Sequence, residues 1–284
     1  MKTKRLLTMV FACVVLLSCA AVAQAVELNA ADGGWSITVD NERVIRDGEG
    51  TATDGLVNWI DPSGYDYVYQ DTWFGRDSTA QSEGPLSSMS LLSSSQPALN
   101  KIILNFKDNA SLYLDLSYEL TGSGLSSSIL ERGVMTNKGA DPLTISIFKY
   151  VDFDLCYGYD AHNNDYAFGD TSGITQYDAF STARVTPISS LPDAFQISRC
   201  GYPGSIISSL DDGQITNLTN GGSPFGPEDA DFAFQWNLTL DPNQSYTIEN
   251  MKTLETSAVP EPVSSALFLL GCGGMAALKR SKKA

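Results

Sequence analysis

A two-residue period in hydrophobicity constrains this chain more than any other feature. Leu112, Leu114, Leu116, Tyr118 and Leu120 alternate with Tyr113, Asp115, Ser117 and Glu119, the mark of a strand with one buried and one wet face. Phe232, Phe234, Trp236, Leu238 and Leu240 alternate in the same way with Ala233, Gln235, Asn237 and Thr239. A third run sets Val151, Phe153 and Leu155 against Asp152 and Asp154. Upstream, Ile145 and Ile147 keep phase but Lys149 breaks it, which predicts a bulge or an edge strand. Turn signals such as Thr121-Gly122-Ser123-Gly124, Asn137-Lys138-Gly139 and Asp211-Asp212-Gly213 separate the runs. No helical stripe competes with them. The pattern predicts an all-β chain of antiparallel sheets packed as a sandwich. Two hairpins are expected, Ile129–Asn137 with Leu143–Asp154 and Phe232–Leu240 with Ser245–Leu254. The Ser-rich stretch Leu86–Pro97 predicts an exposed loop, and Thr253–Val259 a linker.

The two ends read differently. Lys2, Lys4 and Arg5 precede an apolar run from Leu6 to Leu17, and Ala23-Gln24-Ala25 is an A-x-A site, which together predict a signal peptide over 1–25. Leu16-Leu17-Ser18-Cys19 also satisfies a loose lipobox, the alternative being lipidation of Cys19. At the other end, Val263 to Leu278 carries no charge and is followed by Lys279, Arg280, Ser281, Lys282 and Lys283. As a helix this run would span about 24 Å at ~1.5 Å per residue, short of the ~30 Å hydrocarbon core of a bilayer. The basic cluster would hold that end in the cytoplasm, leaving a single weak transmembrane helix over 263–278 and a β-sandwich ectodomain over 26–256.

Pro260-Glu261-Pro262, the apolar span and the basic stop, in that order, resemble the PEP-CTERM sorting signal, here over 257–284. The resemblance implies processing by an exosortase near the tripeptide after export by the secretion machinery. It places the product in the cell envelope, at the surface or in the extracellular polysaccharide matrix. More loosely, Tyr150-Val151-Asp152-Phe153-Asp154-Leu155 and Phe232–Leu238 resemble runs in the β-sandwich ectodomains of that family, which carry no assigned activity.

Charge narrows the partners. The chain has 18 Lys and Arg against 33 Asp and Glu, a net charge of −15. Seven of the 18 cations lie in the terminal segments and only one of the 33 acids does, so the stretch between them is more acidic still. That field repels phosphate backbones and anionic lipid, which excludes nucleic acid as a partner. Of five cysteines, only Cys156 and Cys200 lie outside the terminal segments. A disulfide between them would close a loop of about 45 residues and stabilise by a few kcal/mol, provided their Cα atoms approach within ~7 Å.

No catalytic constellation stands out. His162 is the only histidine, no G-x-S-x-G elbow is present, and one His with two separated Cys does not make a zinc site. Asp152 and Asp154 would stand about 7 Å apart on one strand face, a spacing of glycosidase type. Such chemistry needs one carboxyl raised by burial, whereas this pair falls on the polar side of its strand. With Asp160, Asp165 and Asp170 nearby, Ca²⁺ ligation is the sharper alternative, and solvated acids are the simpler one. The cluster Tyr65, Tyr67, Tyr69, Trp73 and Phe74 offers rings for sugar stacking, or for the core. The expectation is a non-enzymatic envelope or matrix component with no metal and no cofactor; the alternatives are a carbohydrate-binding module or a polysaccharide-active enzyme.

Overall fold

The computed structural model describes residues 25–257 apart from 32–33, 46–51, 86–87, 109–110, 156–163 and 202. Seventeen strands and one short helix are described. In chain order the strands are β1 (Val26–Asn29), β2 (Ser36–Ile45), β3 (Ala52–Ile60), β4 (Gln70–Asp77), β5 (Gly84–Pro85), β6 (Ser90–Ala98), β7 (Lys101–Lys107), β8 (Leu112–Ser123) and β9 (Ser126–Asn137). Then come β10 (Leu143–Asp152), β11 (Asp165–Asp170), β12 (Gly173–Tyr177), β13 (Ser181–Pro187), β14 (Ala194–Arg199), helix α1 (Ile206–Leu210), β15 (Phe225–Glu228), β16 (Ala230–Leu240) and β17 (Ser245–Thr256).

These strands form two sheets. One runs β1-β2-β3-β4-β10-β16-β14, with β5 on β4; the other runs β15-β11-β12-β13-β17-β9-β8-β7-β6. Pairing is antiparallel throughout except for a short parallel contact of β3 with β4. The all-β, two-sheet expectation therefore holds, and the period-two runs become β8, β10 and β16. Along β8, Leu112, Leu114, Leu116, Tyr118 and Leu120 are buried. Their partners in the inter-sheet core include Trp35, Trp59, Trp73 and Trp236, all four essentially inaccessible.

Connectivity departs from expectation. Neither predicted hairpin exists. β9 pairs with β8 and β17 while β10 pairs with β4 and β16, so the 138–142 turn carries the chain from one sheet to the other. The Asp241–Gln244 turn does the same between β16 and β17. Both turns are arches over the core rather than hairpin loops. The Ser-rich loop is also corrected: Ser90–Ala98 is an exposed edge strand paired with β7. Hydroxyls and the absence of apolar alternation suit an edge that must stay in water.

Lys149 does not mark an edge either. β10 is central, and Lys149 is fully buried against Asp71 and Glu131. Its sheet face packs on the second sheet. The opposite face, where alternation predicted water, is covered by α1 and the segment around Leu218, which build a second small core with Phe74, Phe148, Tyr150, Ala194 and Ala233. Two covered faces explain why the second half of β10 and the first half of β16 are buried at every position.

Candidate carboxyl site

Asp152, expected to be solvated, is instead 2% exposed. It ends β10 on the face under α1. Register places Gln70 of β4 on one side of it and Asp231 of β16 on the other, with Ser198 of β14 beyond. Paired residues of adjacent antiparallel strands share a face, with Cβ atoms ~5 Å apart. A row of polar groups thus crosses four strands at one end of the sheet. Tyr150, one pleat back, donates from its hydroxyl to Asp231 Oδ2 at 3.2 Å and reaches Asp152 Oδ2 at 3.4 Å. Ser198 Oγ donates to Asp231 Oδ1 and accepts from the Ile206 N–H at 3.1 Å, which ties α1 to the row. Gln70 Nε2 is buried without a hydrogen-bond partner.

Cys200 and Asp229 complete the group from the half-exposed side. They are joined through a backbone bond of 2.9 Å, Cys200 N–H to Asp229 C=O. The Cys200 thiol is free and donates to Asp152 Oδ2 at 3.0 Å. Its expected disulfide partner, Cys156, lies outside the described residues. One ligand atom from each of Asp152, Cys200 and Asp229 lies within 4.8 Å of the others, the group among the described residues that could share a cation.

Asp229 is also the crossing point between sheets. Glu228 ends β15 opposite Asp165 of β11, and Ala230 begins β16 in the other sheet. Gly226 makes that approach possible. Its φ is +107°, and a Cβ there would stand 2.2 Å from the Asp165 carbonyl oxygen, so only glycine fits. Asp165 is buried beside Gln176, which donates to its Oδ2 at 2.8 Å, while its Oδ1 has no partner.

Carboxyls therefore outnumber cations here, and their proton affinity rises. Burial holds Asp152 well above the usual carboxylate range, helped by Asp231, Asp154 and Asp229 against the thiol bond from Cys200. Asp165 is raised to about 7, by burial first and then by Asp178, Asp229 and Asp154, with Gln176 opposing. Asp231 is raised to about 6 by burial, against the Ser198 and Tyr150 hydroxyls. Asp66, in the turn before β4, reaches about 6 by burial and through Asp154, although the Trp59 and Val68 amides oppose it. Burial and the same acids push the Cys200 thiol up. The outcome is a set of carboxyls whose proton affinity is raised toward neutral pH.

Other singled-out residues fall elsewhere. Pro260, Glu261, Pro262, Lys279, Arg280, Lys282, Lys283 and Ala23 lie outside the described residues, as do Asp160 and His162; Ala25 is exposed just before β1. Among the described residues no helix is long and apolar enough to cross a membrane. Tyr67, Trp73 and Phe74 are core residues, so the Tyr65–Phe74 cluster gives no stacking platform. Asp66, Asp229, Asp231 and Gln70 do not stand out as site residues in the sequence, and Cys200 does so only as half of a disulfide, because only the fold brings them together. A cleft of about 490 Å³ lies apart from this cluster, beside Gly122, Ser126 and Thr253.

No protein-family model matches the sequence, and no curated protein matches it. Solved structures do. A galactose mutarotase related enzyme from Lactobacillus acidophilus superposes with a TM-score of 0.55 at 7% identity, over 83% of this chain and 98% of that one. The fold is shared with galactose mutarotases. A putative aldose 1-epimerase from Escherichia coli K12 gives 0.52 at 9%, over 82% and 100%. A bacterial glucoamylase complexed with acarbose gives 0.55 at 9%, over 88% of this chain but 34% of the glucoamylase. These likenesses correct two expectations, that the chain is a non-enzymatic envelope component sorted through its tail and that it is not an enzyme. A β-sandwich without a local catalytic motif reads in sequence as an inert body. Yet this architecture is one that sugar-processing enzymes use, and it can assemble acids from five distant segments where no motif shows.

Proposed function

We propose that the chain is a sugar-processing protein in which the carboxyl cluster moves protons to and from a neutral saccharide. The observation that carries this reading is the pair Asp152 and Asp231, register partners on β10 and β16, one raised well above the usual carboxylate range and the other raised to about 6. Acid–base catalysis is most effective when donor and acceptor titrate near the working pH. Such a pair supplies both a proton donor and a proton acceptor, and because Asp152 is 2% and Asp231 0% exposed the protons would reach a sugar through the half-exposed edge of the cluster. Cys200 and Asp229 form the half-exposed side from which a sugar would approach. The enzymes named above with the same fold, a mutarotase relative, a putative aldose 1-epimerase and a glucoamylase, support the substrate class.

The test uses the full chain. Anomer interconversion of aldoses is followed by polarimetry, and a panel of neutral oligosaccharides is followed for cleavage. Wild type should accelerate one of these, and Asp152→Asn or Asp231→Asn should lower the rate by roughly 10²–10⁴-fold. Activity that survives both substitutions, or none at all across both assays, contradicts the proposal.

A further inference from the structure

The outer face of the nine-stranded sheet carries three aromatic rings that the fold leaves in water. Along β11, Tyr166 and Phe168 point out while Asp165 and Ala167 point in, and Tyr177 ends β12. Tyr166 and Tyr177 are register partners whose centroids lie 5.3 Å apart with planes 19° from parallel. Phe168 meets Tyr177 edge-on at 6.0 Å. The three keep 40%, 46% and 37% of their surface exposed, in the order Tyr166, Phe168, Tyr177. Packing does not require this, because the chain buries its four tryptophans completely elsewhere.

Polar groups flank the rings. Thr182 of β13 stands opposite Tyr177. Arg184, two residues on, is held by hydrogen bonds from Nη1 to Thr175 Oγ1 and from Nε to Thr186 Oγ1, both 3.0 Å. Apolar ring faces beside phenol, threonine and guanidinium groups match a pyranose, which presents C–H faces for stacking and hydroxyls at its edge. Net charge decides among occupants. At −15 the chain repels a second copy of itself, anionic polymers and anionic lipid, but not a neutral glycan.

We infer that the Tyr166–Phe168–Tyr177 ridge is a binding surface for a neutral polysaccharide, separate from the carboxyl cluster. The choice of ligand class rests on the sugar-processing reading. Affinity electrophoresis of the full chain through gels containing laminarin, amylopectin or galactomannan tests it, with Tyr177→Ala, Phe168→Ala and, as a control on another exposed site, Leu92→Ala. Wild type and Leu92→Ala should be retarded in at least one gel. Tyr177→Ala and Phe168→Ala should lose about tenfold in affinity or more, equivalent to about 1.4 kcal/mol, with unchanged melting temperature and unchanged turnover of small saccharides. Ridge-dependent retardation by a protein with no turnover would leave this surface standing and remove only the proposed chemistry. No retardation in any gel, or equal retardation of both ridge variants, overturns the inference. So does a concentration-dependent dimer in sedimentation that Tyr177→Ala abolishes.

Discussion

Two groups of buried charge sit on opposite faces of β10, and they behave in opposite ways. On the core face, Lys149 and Lys252 interlock with Asp71 and Glu131. Lys149 Nζ is 2.8 Å from Glu131 Oε1, Lys252 Nζ is 2.6 Å from Asp71 Oδ2 and 3.0 Å from Glu131 Oε2, and all four side chains are inaccessible. Trp73 Nε1 adds a bond of 2.7 Å to Glu131. Two cations meet two anions, so the charges balance; burial lowers Lys252, and Asp71 and Glu131 oppose that. Burial alone would raise Glu131, but Lys149 and Lys252 outweigh it and hold it at about 2. On the other face, Asp152 and Asp231 share their surroundings with Asp229 and Asp154, and no Lys or Arg among the described residues forms an ion pair with either. That group's proton affinity rises instead. Balanced charge ties the two sheets together; unbalanced charge of one sign is costly for structure and suited to chemistry.

Substitution separates the two groups most sharply. Glu131→Gln leaves two buried ammonium groups with one carboxylate between them and should cost about 3–5 kcal/mol in urea denaturation. A loss under about 1 kcal/mol would mean that the quartet is no more than solvated surface charge.

The pH dependence should be next in size, and its sign differs between the raised and the lowered carboxyls. Asp165, raised from 3.8 to about 7, contributes stability that is complete below pH 3.8 and lost as pH rises through about 7. Asp231 and Asp66 act alike, with losses through about 6. Glu131, lowered from 4.5 to about 2, stabilises above pH 4.5 and is lost as pH falls through about 2. Stability should therefore decline from about pH 4.5 to about pH 7, and Asp165→Asn should flatten that decline while leaving the acid limb unchanged. Melting curves across the range check this; a curve that rises toward pH 8 would refute it.

Smaller still, Asp152→Asn exchanges a protonated carboxyl for an amide of the same shape and should shift stability at pH 7 by less than about 1 kcal/mol, well below the Glu131 effect. Smallest of all, Cys200→Ser should change stability by a few tenths of a kcal/mol in the same assay. The native thiol, raised by burial and by Asp152, should alkylate far more slowly at pH 8 than free cysteine.

Local pattern revealed the strands but not their partners. The alternation in Leu112–Leu120 and Phe232–Leu240 gave β8 and β16 directly, since one face of each must be dry. Which sheet each strand joined was not legible, because a short turn serves an arch between sheets as well as a hairpin. The same blindness hid the site. Asp152, Asp154 and Asp165 stood out as acids, but burial of Asp152 depends on α1, more than fifty residues later. Asp229 and Asp231 approach only through the β10–β16 register. The aromatic ridge was missed for a related reason. In Asp165-Tyr166-Ala167-Phe168 the aspartate looks exposed and the rings look buried, and a buried Asp165 reverses both.

The direct measurement is a carbon-13 NMR titration of aspartate side-chain carboxyls in the full chain, assigned with Asp152→Asn, Asp165→Asn and Asp231→Asn. Asp152 should titrate well above the usual carboxylate range, Asp165 at about 7 and Asp231 at about 6. If all three lose their protons below pH 5, the cluster is ordinary surface acidity and the proposed chemistry has no proton donor.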